Sequence, residues 1–481
     1  METKNWFWLL FCCLGTLWTY RHFKNYFRAV GLALRLPGPK AIPLLGNVLL
    51  FLERKNNVLI ECGIKASQLY GSLMRGWMFW VPVLVVYEPE HLRVILSNTK
   101  VSDKNFFYRI MHTFIGDGLV TSTGDKWRKH RKLIQPYFHI NILESYFDDF
   151  LQISEEVLGA ELHGRNGVKI SRIVNDCINK ILHKTILGVN LKRDSESPFR
   201  RGELLLLKRL LKPWLLVDFI FKRSKMSQME AQQNEDLHLY VKKILDERRT
   251  LTKQAKVNNT CLLDRLIELL ETSDFSEKAI LDEAVTFMLA GQDSVGTAVA
   301  SCLFYLAKHQ DIQEKVFKEI IDVGADKRLT INQLNQMHYL EQCIKETMRL
   351  IPSIPLVSRV LTADVDLGYY TAPKGTNILI SIFTAHRLPH IFPKPLEFDP
   401  DRFSPENLPN IHPYGFLPFS LGPRKCIGYK FAYIEMKTII STVIKRFHLS
   451  PPPQREELDL SYRVTFRAKG GILLNITPRQ K

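Results

Sequence analysis

Ten residues, Phe419-Ser-Leu-Gly-Pro-Arg-Lys-Cys-Ile-Gly428, constrain this chain more than any other stretch. Gly422 and Gly428 lack side chains, so the backbone there can turn tightly and lie close to a flat ligand. Arg424 offers a fork of donors to a carboxylate. Phe419 can cover the Cys426 sulfur and keep water away. After Gly428, the apolar residues Phe431, Ile434 and Met436 to Ile440 suit a buried helix. A helix starting just past a cysteine aims its N-terminal dipole at the sulfur and stabilises the thiolate. For a single cysteine, the ordinary reading is a buried structural residue in a glycine-rich turn. Five fixed residue types at this spacing arise by chance in roughly one in ten thousand chains of this length at average usage. The pattern therefore reads as a thiolate metal ligand at Cys426.

The 481 residues would suit two to four domains by length or one large enzyme fold, and no linker divides the main body. Helical periodicity dominates. The net charge of +17 first suggests nucleic acid. Here the basic residues are spread rather than massed, and no stacking motif interleaves them. An anionic membrane surface and an acidic protein partner fit better, with no nucleic acid. Eight cysteines without a Cys-x-x-Cys motif argue against a disulfide framework or zinc site and for a reducing compartment.

Residues 5–20 are nearly all apolar, with Trp6, Trp8 and Trp18 towards the ends. This is a little short of the roughly 20 residues of a full span. A cleaved signal peptide is the rival. No small-x-small site follows, however, and Arg21, His22, Lys24 and Arg28 come after the apolar run rather than before it. The expectation is an uncleaved anchor over residues 1–22 in the endoplasmic reticulum membrane, with the bulk of the chain cytosolic. Cys12 and Cys13 in this run are either buried in lipid or palmitoylated. A basic, proline-rich hinge over 23–46 and a catalytic domain over 47–481 complete the division. Pro37 and Pro39 stop the anchor helix from running on.

Leu73 to Tyr87 reads as two short antiparallel strands broken at Gly76 and Pro82, and Glu90 to Leu96 as helix. Val101 to Asp117 reads as irregular and aromatic. Trp127 and Arg131, four apart, share a helix face and can both donate to a carboxylate. Leu204 to Arg223 suits either a membrane interface or an ordinary amphipathic helix. Asp274 with Glu277 resembles a helix cap. From there to about Lys308 runs a long, proline-free, apolar helix that should be buried. Its middle carries Ala290-Gly-Gln-Asp-Ser-Val295, where Asp293 and Ser294 supply a carboxylate and a hydroxyl for proton transfer. Glu346 and Arg349 form a Glu-x-x-Arg pair that Arg402 can join in a buried network. A second such pair, Glu90 and Arg93, reads as a surface contact.

The Cys426 loop resembles the haem-binding loop of the cytochromes P-450, and the stretch through Lys437 is similar to the family-4 clan. The resemblance runs from the anchor to about Pro478 and is only positional between Leu191 and Asn259. It implies a mainly α fold with a small β-rich lobe, the haem-thiolate fold, with an N-terminal membrane anchor. It makes Cys426 the axial ligand of haem iron, with electron donation through the sulfur favouring O–O cleavage. By the same resemblance, Phe419, Gly422, Arg424, Gly428, Trp127, Arg131 and Arg359 bind the haem, and Gly291, Asp293 and Ser294 serve oxygen activation. Glu346, Arg349 and Arg402 hold the architecture. The aromatic stretch after Val101 roofs the pocket, and Ile354, Leu356, Val357 and Val464 to Phe466 face the substrate.

Three residues depart from the family pattern. Ser294 stands where Thr is usual, and Val295 where a second Thr or Ser is usual. Ala290 stands where many family-4 members carry a Glu esterified to the haem, so haem b without a covalent link is expected. The implied reaction inserts one oxygen atom of O2 into a lipophilic substrate, a fatty acid or other lipid. The chain has no Gly-x-Gly-x-x-Gly site and no ferredoxin cysteine cluster. Electrons from NADPH would thus come through NADPH–cytochrome P-450 reductase, with cytochrome b5 as a further candidate donor. A haem-thiolate isomerase or decarbonylase, and a haem-binding protein without turnover, are the alternatives.

Overall fold

The computed structural model describes residues 15–16, 20, 23–51, 56–98, 103–162, 165–191, 198–200, 208–209, 212–253, 261–324, 328–453, 457–462 and 464–479. Helices dominate among these residues, with one four-stranded sheet and three smaller ones. Most of the expected anchor lies outside the described residues. No helix among those described is long and apolar enough to cross a membrane.

Strands β1 (Leu73–Met78) and β2 (Val81–Val86) form the expected antiparallel hairpin. Gly76 and Pro82 do not break it. Gly76 lies opposite Val83, and Pro82 opposite Trp77. The turn falls instead at Phe79 and Trp80, where Phe79 takes φ of 54°. Pro82 is tolerated because its missing N–H is not needed. The parallel ladder on the other edge of β2 begins one residue later, at Val83. Strands β3 (Leu356–Val360) and β4 (Asn377–Ser381) complete the sheet in the order β1-β2-β4-β3. Leu84, Val86, Ile378 and Ile380 bury one of its faces.

The segment expected to be a hinge has more structure than its prolines suggest. Residues 23–35 are helical. Pro37 then accepts the Arg75 backbone N–H at 2.8 Å, and a side chain at Gly38 would collide with the Arg75 carbonyl. The proline-rich run is therefore docked along β1. Further on, Glu90 lies in the expected helix, Pro89–Ser97, and pairs at the surface with Arg93 at 3.3 Å.

Helix α1 (Phe106–Ile115) replaces the irregular stretch expected there. The Asn105 side chain accepts the Phe107 N–H at 3.1 Å, and this cap outweighs the modest helix propensity of the aromatic run. Helices α2 (Gly124–Ile134), α3 (Ile170–Leu182) and α4 (Lys225–Lys253) follow. Helix α5 (Glu277–Lys308) has 32 residues and is about 48 Å long at 1.5 Å per residue. Its cap is Ser276, whose hydroxyl accepts the Ala279 N–H at 3.1 Å. Asp274 is not the cap; it is exposed and pairs with Lys129 at 3.1 Å. Helix α3 crosses α5 closely, because a side chain at Gly296 would overlap the Asn175 amide. Helices α6 (His338–Leu350) and α7 (Tyr429–Arg446) and strand β5 (Phe466–Ala468) complete the surroundings of the site.

Candidate active site

A cavity of about 1280 Å³ lies against α5 and the cysteine loop. Trp127, Arg131, Gly291, Asp293, Ser294, Phe419, Arg424, Cys426 and Gly428 all reach its wall, drawn together from three distant stretches of chain.

The loop owes its shape to one glycine. Gly422 has φ of 73°, and a Cβ there would lie 1.9 Å from the Leu96 carbonyl oxygen. Lys425 N–H donates to the Gly422 carbonyl at 3.0 Å, and Cys426 N–H to the Phe419 carbonyl at 2.9 Å. Gly428 has another role. Its φ is −88°, an ordinary value, and a Cβ would meet nothing nearer than the Phe138 ring at 3.8 Å. It caps α7, and its N–H bonds to the Cys426 sulfur. Burial raises the Cys426 thiol, while that N–H and the charges of Arg131 and Lys425 pull it back. The residue is nevertheless open, because its accessible surface belongs to the cavity. Phe419 packs on the Tyr433 ring at 5.3 Å beside it.

On α5 the two polar residues expected to serve proton transfer have separate partners. Asp293 and Ser294 do not bond each other. The Ser294 hydroxyl donates to the Ala290 carbonyl at 2.7 Å, and Asp293 pairs with Arg467 of β5 at 2.7 Å. Gly291 was expected to let a ligand approach the helix. The space its side chain would take is already bordered by Leu182 of α3, 3.0 Å away. This glycine therefore also serves the α3–α5 packing.

Cations gather at one edge of the cavity. Arg424 donates to the Ser122 carbonyl at 2.9 Å and lies over the Trp127 ring at 3.8 Å. Helix α2 is fixed beneath it by His130, which meets buried Glu283 of α5 at 2.7 Å. Arg131 bonds Gln135 at 3.3 Å. Arg359 and Gly422 are the exceptions among the residues expected to bind the haem, since neither reaches the cavity wall. Arg359 is the cation of the two. It is buried on β3 beside Tyr108, to which it is hydrogen-bonded. Burial pushes Arg424 down to about 9, aided by the neighbouring Arg359 charge, and also lowers Arg131 and Arg359.

Two residues were missed by the sequence reading. Lys104 joins this cluster, and burial and the charges of Arg359 and Arg424 hold its ammonium well below its ordinary value. Its signal was hidden in a stretch read only for its aromatics. Arg467 had no signal, because nothing local ties it to a helix 174 residues earlier.

Glu346, Arg349 and Arg402 lie away from the cavity and come together as expected. Arg349 grips both carboxylate oxygens of Glu346, at 2.7 and 2.8 Å, and Arg402 approaches the same carboxylate at 3.4 Å. Arg349 also donates to the carbonyls of His386, Pro395 and Glu397. His386 carries the contact onward, since its Nε2 accepts the Leu417 N–H at 2.7 Å just before the cysteine loop. Burial depresses His386 to about 3, which keeps the ring neutral and able to accept. Because its folded value lies below the unfolded one near 6.5, its contribution is complete above about pH 6.5 and is lost as pH falls towards 3. Replacing His386 by Ala strands the Leu417 N–H and is expected to cost about 1–3 kcal/mol in denaturant unfolding. No loss would mean that this bond does not support the loop.

A family model described as Cytochrome P450 matches residues 36–475, and the chain belongs to that family. It is 43% identical over 486 residues to "Probable cytochrome P450 4aa1" of Drosophila melanogaster, covering 98% of this chain and 95% of the relative. It is 35% identical to "Cytochrome P450 4c21" of Blattella germanica, over 88% of this chain and 89% of the relative. It is 33% identical to the human "Cytochrome P450 4V2", over 92% and 89%. Family membership makes the protein a monooxygenase-type oxidoreductase and implies a haem.

The residues present fit that group. A sulfur donor opens on the cavity beside four cations, the half-buried Lys104, Arg131 and Arg424 and the buried Arg359. Such like charges repel one another, with Asp103 offsetting them at Arg424, and a cofactor with two carboxylates supplies further negative charge. The Ser420 hydroxyl, on the same wall, has no hydrogen-bond partner among the described residues.

Proposed function

We propose that this enzyme inserts one atom of dioxygen into a lipophilic substrate, with fatty acids the favoured class. The observation that carries the reading is a single cavity joining the Cys426 loop to Asp293 and Ser294 beneath an apolar roof. Phe107, Met111 and Phe114 of α1 and Ile354, Val357 and Leu379 of the sheet region line it.

A haem, when bound, supplies the one-electron and dioxygen chemistry. Cys426 would hold its iron through the thiolate. Trp127, Arg131, Arg424 and Lys104 would hold its carboxylates, Arg359 would add its charge from behind the cavity wall, and Phe419 would shield the sulfur. The apolar roof excludes water and packs against a hydrocarbon substrate. Asp293 and Ser294 hold the protons. Ala290 offers no carboxylate, so the haem is held without a covalent link. Acid–organic extraction should remove it, and haem retained on the chain would contradict this. Ser294→Ala loses the hydroxyl and is expected to release more peroxide for each NADPH consumed. Unchanged coupling would remove Ser294 from proton handling.

Electrons originate in NADPH and arrive through NADPH–cytochrome P-450 reductase, with cytochrome b5 as a further donor. An anchor over residues 1–22 places the catalytic domain, residues 47–481, on the cytosolic face of the endoplasmic reticulum. Exposed apolar residues support a membrane approach. Phe23, Phe27, Leu44, Trp80, Trp214 and Phe219 all face outward. The Tyr26 hydroxyl donates to the Trp80 carbonyl at 2.9 Å, and Leu45 and Leu216 pack in one cluster with Phe79.

The test is reconstitution with reductase and NADPH under heavy-isotope dioxygen, with fatty acids, sterols and terpenoids supplied. One heavy oxygen in a product supports the reading. Product without label favours an isomerase or decarbonylase. NADPH oxidation that responds to no substrate favours a haem protein without turnover.

A further inference from the structure

The cavity has a polar arm that neither the cysteine loop nor the apolar roof accounts for. Ser171, Asn175 and Asp176 of α3 line it, with Lys469 and Gly471 after β5. Asp293 faces this arm. Gly296, which abuts Asn175, and Thr297 lie three and four residues further along α5 and so share its helix face. Strand β5 is stitched to that same face. The Thr297 hydroxyl donates to the Phe466 carbonyl at 3.0 Å. The Phe466 N–H donates to the Ser353 carbonyl at 3.1 Å, and the Ser353 hydroxyl to the Ser294 carbonyl at 2.6 Å. Arg467, the next residue, is thereby set against Asp293 at 2.7 Å. Both side chains stay partly accessible, at 24% for Asp293 and 38% for Arg467.

We propose that Arg467 is a positioning residue. Held to α5 through Phe466, it keeps the Asp293 carboxylate on the polar arm and away from the Ser294 hydroxyl, so that protons for the distal side are drawn through that arm. A cation suits the task, because a single charge-assisted contact, from the Arg467 guanidinium to one Asp293 oxygen, holds the carboxylate in place. The ion pair is a local anchor; the strand behind it supplies the rigidity. This inference rests on the monooxygenase reading above.

The experiment uses the reduced holoenzyme with carbon monoxide as the probe, read by the infrared C–O stretch, which responds to nearby charge. Arg467→Met should shift the band, because the freed carboxylate can swing towards the ligand. Arg467→Lys should keep the wild-type band, and Arg467→Met should add nothing in an Asp293→Asn background. An unshifted band, or an equal shift in both backgrounds, overturns the proposal. If the Met variant loses haem, Arg467→Gln carries the same comparison. In steady-state NADPH oxidation, the share recovered as hydrogen peroxide should rise at least twofold in the Met variant and not in the Lys variant. An unchanged share overturns the proton route. A wild-type enzyme that oxidises no NADPH defeats the functional reading instead, while the carbonyl band still decides the position of Asp293.

Discussion

Cys426→Ser is expected to abolish the thiolate spectrum of the reduced carbonyl form and, with it, turnover. A serine hydroxyl is not ionised near neutral pH and cannot donate electron density as a thiolate does. The loop itself should survive the change. Its shape depends on Gly422 and on backbone bonds from Lys425 and Cys426, none of which involves the sulfur. The result therefore separates ligation from folding. An intact fold with an unchanged reduced-carbonyl spectrum would reject Cys426 as the ligand.

Arg349→Ala is expected to cost as much by a different route. It leaves the fully buried Glu346 carboxylate without its bidentate partner. It also removes the donor to three carbonyls, those of His386, Pro395 and Glu397. Breaking a buried pair from one side costs about 3–5 kcal/mol. That is a large part of the 5–15 kcal/mol by which a folded domain is typically stable. Little haem-loaded protein should accumulate, and Arg349→Lys should not rescue it, because a point charge cannot replace the fork. The control is built into the chain. Arg93→Ala removes the arginine from a pair of the same Glu-x-x-Arg spacing, but with both side chains mostly exposed. It should leave the thermal midpoint unmoved. Equal effects at the two sites would mean that burial is not what distinguishes them.

The contrast between these two pairs also marks what a sequence discloses. Spacing made Glu346–Arg349 and Glu90–Arg93 look alike. Only the flanking prolines and Arg402 hinted that one of them was interior. The cysteine loop was legible because its function is local: ten consecutive residues make the turn, present the sulfur and start the helix. Helix α5 was legible in extent for a similar reason, having no proline and a long apolar run. Its start was misjudged by two residues because Asp274 and Ser276 are both acceptable caps, and only the backbone decides between them. Helix α1 was missed because aromatics weaken the helical signal, while the deciding bond comes from Asn105. Asp293 could be named from its motif but its partner could not. A contact between α5 and β5 is a product of the tertiary fold, and no short-range rule carries it.

Strand β5 has a bearing on how the protein is made. Phe466 lies forty residues after Cys426, yet it closes the wall against α5. A chain growing from its amino end completes its N-terminal units first. While Phe466 is still inside the ribosome, the roof helix and α5 can already be formed, but the chamber between them stands open on one side. Secure capture of the cofactor must then wait until Phe466 has emerged, well after the Cys426 sulfur itself is available.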